Sequence, residues 1–120
     1  MGAGKMNVVF RTRGSHKQGI GDVMGSLAIA DACRDSSPQD TLTFIVDNNE
    51  EAINAILVRA YKTEVVANLE QEIAHIEKIK PDVIVVNMLE NDPERLRYFK
   101  QNTRLLVTID DPGSAARLAV

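Results

Sequence analysis

The sequence predicts a doubly wound α/β protein: one parallel sheet of about five strands, in the order 3-2-1-4-5, with helices on its faces. Three observations carry this reading. Short β-branched runs alternate with amphipathic segments along the chain. Turn residues such as "SSPQD" punctuate the alternation. One run, "PDVIVVN" at Pro81–Asn87, sets four β-branched residues in succession. That pattern fits a strand buried on both faces, as parallel strands are, and puts strand four at the centre of the sheet.

Met6–Arg11 ("MNVVFR") is apolar and β-branched and reads as strand one. A loop, Thr12–Gly21, follows. Asp22 stands at an expected helix N-cap, and Val23, Met24, Leu27, Ala30 and Cys33 then recur at helical spacing to about Arg34. Thr41–Asp47 ("TLTFIVD") is strand two. Asn49–Ala60 reads as a helix with Ile53, Ile56 and Leu57 turned inward. Thr63–Val66 is a short third strand. Leu69, Ile73, Ile76 and Ile79 make a third helix with a charged outer face. After strand four, Asp92 caps a helix to about Lys100, with Pro93 suited to its first turn. Arg104–Asp110 ("RLLVTID") is strand five. Ligands of such sheets bind beyond the carboxyl ends of the strands, at the switch point. Here that point lies between strands one and four, so Thr12–Asp22 and Asn87–Asp92 face one crevice.

The 120 residues suit one domain, residues 1–120, with a real core. A formal charge of −3, with no long basic block, speaks against broad nucleic-acid binding. Absent tryptophan and only 4% aromatics speak against a base-stacking platform. A lone cysteine, Cys33, forms no intrachain disulfide and suits a reducing cytoplasm. No apolar stretch is long enough for a membrane span, and the amino terminus has no signal-peptide layout.

The stretch "GSHKQGIGDVMGSLAIADA" (Gly14–Ala32) holds the chemistry-bearing loop. "MGAGK" lacks P-loop spacing and precedes a strand. Gly19 and Gly21 begin a dinucleotide-type pattern, but its third glycine falls one step late, at Gly25. Glycines ahead of a helix N-terminus still bring backbone N–H groups near a bound anion.

The longer segment "VVFRTRGSHKQGIGDVMGSLAIADA" resembles the start of the UDP-sugar hydrolases of pseudaminic-acid biosynthesis and their spore-coat polysaccharide relatives. Arg11, Gly19, Gly21, Val23, Met24, Leu27, Ala28, Ile29 and Ala30 carry the match. "TFIVD", "KPDVIVVN" and "LLVTIDD" resemble the family's later strands. The resemblance implies a Rossmann-like domain, the amino-terminal half of a glycosyltransferase-B-like fold. In such proteins two such domains face each other across a cleft. The second usually holds the nucleotide; the first supplies the acceptor side and the histidine that activates water. Two departures stand out. The family histidine is Asp22 here, and the family arginine three residues on is Gly25.

Asp22 and His16 are therefore the catalytic candidates. Asp22 is either a helix cap or a general base, and aspartate is a weak base at neutral pH unless its site raises its pKa. His16 either enters the cleft or is solvated. Arg11, Gly19, Gly21 and Asn87 are the candidate substrate-binding residues. Arg11, Arg13 and Lys17 give the mouth of strand one positive charge for a phosphate or carboxylate. Asn87, Glu90 and Asn91 offer hydrogen bonds to sugar hydroxyls, or Asn91 and Asp92 simply start the next helix. Asp110 and Asp111 are a carboxylate pair or a turn before Pro-Gly. His75 falls on the polar side of its helix, and Cys33 on the core side of its own. No spacing indicates a zinc site, and no cofactor is implied.

Two functions follow as expectations. One is the acceptor-side domain of a nucleotide-sugar hydrolase or glycosyltransferase-like protein of polysaccharide biosynthesis, inactive without its second domain. The other is a non-catalytic α/β module that binds a small ligand or oligomerises. The expected partners are a nucleotide-sugar or sugar substrate, and a carboxyl-terminal domain or a second copy of the chain.

Overall fold

In the computed structural model, residues 5–14, 21–87 and 93–109 are described. Five strands alternate with four helices: β1 (Asn7–Thr12), α1 (Gly21–Ser36), β2 (Thr41–Asp47), α2 (Glu50–Leu57), β3 (Lys62–Val66), α3 (Leu69–Ile79), β4 (Val83–Asn87), α4 (Pro93–Gln101) and β5 (Leu105–Thr108). All pairings are parallel and the order is β3-β2-β1-β4-β5, as the sequence predicts for a Rossmann-like sheet. The middle strand is β1, not β4. Phe10 lies opposite Phe44 of β2 on one side and Val85 of β4 on the other.

Strand alternation divides the core between the two faces. Val8, Phe10, Leu42, Phe44, Val46 and Val85 pack with Val23, Leu27 and Ala30 of α1 and with Ala52 and Ile56 of α2. Val9, Ile45, Ile84, Val86 and Leu106 pack with Ile76 of α3 and with Leu96 and Phe99 of α4. The rings of Phe10 and Phe44 stack at 5.0 Å, and Tyr61 tilts against Phe44 at 5.2 Å. Each such contact contributes about 0.5–1.5 kcal/mol beyond its buried area.

Helix starts follow sequence chemistry. Asn49 caps α2 by accepting from the Ala52 N–H at 2.9 Å, and Asn68 caps α3 by accepting from the Gln71 N–H at 2.9 Å. Their ends depart from the periodicity. Helix α2 stops at Leu57, short of Ala60, because the Arg59 and Ala60 N–H groups bond three residues back and Ala60 turns left-handed (φ 65°). The inward line of α2 is Ala52–Ile56, four residues apart. Leu57, expected in the core, lies more than a quarter of a turn around the helix from Ile56 and is 52% exposed. Helix α1 begins at Gly21, so Asp22 sits inside its first turn rather than at the expected N-cap. No helix among the described residues is long and apolar enough to cross a membrane.

Candidate functional site

The carboxyl edge of the sheet has two distinct parts, one on each side of β1. On the α1 side is the switch point between β1 and β4. Thr12 and Asn87 are opposite one another in the register, and the Thr12 hydroxyl donates to the Asn87 carbonyl at 3.2 Å. The Asn87 side chain turns towards α1 and donates from Nδ2 to the Asp22 carbonyl at 3.0 Å. This bond ties the head of α1 to the end of β4. It needs close approach, and Gly25 provides it: a Cβ there would lie 3.1 Å from Asn87 Nδ2. Gly25 thus has a packing role. Asn87, expected to bind substrate, is only 3% exposed and commits its amide to this internal bond.

Asp22 is half-buried in the first turn of α1, beside the switch point, where a carboxylate complements the positive end of the helix dipole. Gly21 opens the helix, and a Cβ there would meet nothing within 4 Å, so packing does not demand glycine at that position. His16, Lys17, Gly19, Glu90, Asn91, Asp92, Asp110 and Asp111 lie outside the described residues.

On the other side of β1 the structure builds an ion relay that joins β1, β2, α3 and α4. Arg11 follows Val9 on the α3/α4 face and is 2% exposed. Its Nη1 donates to the Thr12 carbonyl at 2.7 Å and its Nη2 to Asp47 Oδ1 at 2.6 Å. Its Nε lies 3.1 Å from Glu72 Oε2, and Arg95 Nε approaches the same oxygen at 3.0 Å. Arg13 Nε meets the other Asp47 oxygen at 2.6 Å. The three Nε contacts are close ion pairs without hydrogen-bond alignment. Arg11 is therefore no open anion receptor at a strand mouth: its side chain is internal and holds β1, β2 and α3 together.

The relay borders a small cleft of about 180 Å³, lined among others by Arg11, Arg13, Asp47, Asn68, Glu72 and Arg95. Glu72, on α3, is fully buried, and its Oε1 accepts no hydrogen bond. Sequence reasoning passed over Glu72, Asp47 and Arg95. A signal for Glu72 was present: it stands four residues before Ile76, on the apolar stripe of its helix, where a carboxylate requires an explanation.

A second cluster sits apart from this edge. Asp31 accepts from the Tyr61 hydroxyl at 2.5 Å and pairs with Arg59 and Arg34, and the Arg34 guanidinium lies 4.6 Å from the centre of the Tyr61 ring. The Tyr61 hydrogen bond, with the two arginines, holds the Asp31 carboxyl below its ordinary value against an opposing effect of burial. Burial first, then the Asp31 bond and charge, push the Tyr61 hydroxyl up to about 12. Cys33 is partly buried against the α1/α2-side core, and burial raises its thiol pKa, which keeps it protonated at neutral pH. His75 is half-buried on α3, with Nδ1 3.7 Å from Glu64 Oε1.

No protein-family model matches the chain, and no solved structure does. An uncharacterized protein of Methanocaldococcus jannaschii is 22% identical over 111 residues, which cover 92% of this chain and 23% of that protein. The chain thus spans about a quarter of that relative's length, and the shared segment takes in the whole of the relay and the switch point.

Proposed function

We propose that the chain is the acceptor-side domain of a nucleotide-sugar hydrolase or glycosyltransferase-like protein of surface polysaccharide biosynthesis. In this reading it works in the cytoplasm and is inactive without a second, nucleotide-holding domain. The observation that carries the reading is the head of α1. The segment that resembles the UDP-sugar hydrolases brings Gly21 and Asp22 to the β1–β4 switch point, where ligands of doubly wound sheets bind. Asp22 takes the position of the family histidine. In this role it faces the sugar, and the loop glycines keep backbone close to the ligand.

The second reading, a non-catalytic module that binds a small ligand, draws on a different observation. Arg11 and Asn87, two of the expected substrate-binding residues, spend their side chains on internal contacts. Saturation-transfer NMR with a UDP-sugar separates the two. The acceptor-side reading expects sugar-ring protons to receive more saturation than the uracil protons, and Asp22→Ala to weaken the transfer. No transfer, or transfer centred on uracil, overturns it.

A further inference from the structure

We infer that the cleft between Glu72, Arg13 and Arg95 is a binding site for a small polyol phosphate, distinct from the switch point and independent of the function proposed above. Glu72 lines the cleft with its carboxylate buried. Both Nε contacts fall on its Oε2, and Oε1 is left buried without a donor. A buried carboxylate oxygen in that state costs free energy unless a donor arrives. The oxygen itself has almost no accessible surface, and Glu72 is among the residues that line the cleft. The missing partner is a hydroxyl or another N–H or O–H donor entering through the cleft.

The surroundings set the rest of the ligand. Three guanidinium groups meet two carboxylates here, which leaves one net positive charge. Arg13 is the outermost of the three, with its side chain 30% exposed, and Arg95 is 13% exposed at the other rim. Asn68 and Leu69, at the amino end of the 11-residue helix α3, complete the wall, so the positive end of that helix opens on the same space. A positive rim above a carboxylate acceptor selects a molecule with an anionic head and a hydroxyl behind it. A bare anion satisfies only the rim; a neutral polyol satisfies only the carboxylate. A volume of about 180 Å³ admits a triose- or tetrose-sized phosphate and excludes a whole nucleotide sugar. The buried carboxylate and the chain's formal charge of −3 favour a free ligand over a headgroup in an anionic bilayer.

Isothermal titration with matched probes tests this. Glycerol 3-phosphate should bind about tenfold more tightly than propyl phosphate, which lacks the hydroxyls, and glycerol should not bind. Vesicles of phosphatidylcholine with phosphatidylglycerol should not retain the chain. Arg13→Gln, at a half-exposed position, should weaken both phosphates while circular dichroism shows the fold intact. Glu72→Gln should erase most of the preference for the hydroxylated phosphate and leave propyl phosphate bound as tightly or more so. Equal affinity for the two phosphates, no binding of either, or titrations unmoved by Arg13→Gln would overturn the inference. Retention on the vesicles would overturn the assignment to a free ligand.

Discussion

Replacing Arg11 by methionine tests the ion relay as the tie between β1, β2 and α3. The substitution keeps length and apolar bulk and removes one buried cation. Removing one partner of a buried ion pair typically costs about 3–5 kcal/mol, because the other charge stays buried. Here each orphaned carboxylate keeps a second arginine: Arg13 at 2.6 Å from Asp47 and Arg95 at 3.0 Å from Glu72. The loss therefore falls at the low end, about 3 kcal/mol, with the Thr12 carbonyl also losing its donor. A domain of this kind has about 5–15 kcal/mol in total, so the variant still folds. The double variant Arg11→Met with Glu72→Met removes charges of both signs and should cost less than the two single changes together, by about 2 kcal/mol. Urea melts of the four proteins complete the cycle. Arg11→Met within about 0.5 kcal/mol of the parent, or strict additivity in the double variant, would refute the reasoning.

Further outcomes follow from the other contacts. Tyr61 has its folded pKa raised from an ordinary 10.0 to about 12. Its contribution to stability is full below pH 10 and declines as pH rises towards 12, and Tyr61→Phe should flatten that decline in denaturant melts at stepped pH. Asp31 has a lowered folded pKa, so its contribution is present above the ordinary carboxylate range and is lost as pH falls through the folded value; Asp31→Asn should reduce the acid sensitivity of the melts. Gly25→Ala sets a methyl 3.1 Å from a buried amide already held by the Asp22 carbonyl. The crowding and strained hydrogen bond should outweigh the gain in helix propensity, for a net loss of about 1 kcal/mol read by thermal melts. Under the proposed function the chain should release no UDP from UDP-sugars at a useful rate without a nucleotide-holding domain, since Asp22 stands where the family it resembles has a histidine and a missing general base typically removes 10²–10⁴-fold, roughly. Sustained release abolished by Asp22→Asn would contradict that.

The sheet was legible because its signals are local. "VIVV" in β4, and the alternation of Val8 and Phe10 with Val9 in β1, encode burial on two faces without reference to partners. Strand order then followed from the rules of doubly wound sheets. The end of α2 was not legible, since no glycine or proline breaks the run from Leu57 to Ala60 and only three-residue-back hydrogen bonding stops the helix. Of the candidate residues, Arg11 and Asn87 were legible as polar groups near strand ends, but their contacts were not. Arg11 stood out as a charged residue closing an apolar strand, yet its partner Asp47 is 36 residues away and Glu72 is on another element. Asn87 reads as a polar residue at a strand end, and only its bond to Asp22, 65 residues earlier, makes it structural. Long-range pairing of polar side chains carries no period, so composition and spacing do not announce it.

Amide chemical-shift mapping of the isotope-labelled chain against a UDP-sugar tests the functional account most directly. The account predicts shifts centred on Thr12, Gly14, Gly21, Asp22 and Asn87, reduced by Asp22→Ala, with the Asp31–Tyr61 cluster unmoved. Shifts centred on Asp31, Arg59 and Tyr61, or none at millimolar UDP-sugar, would contradict it.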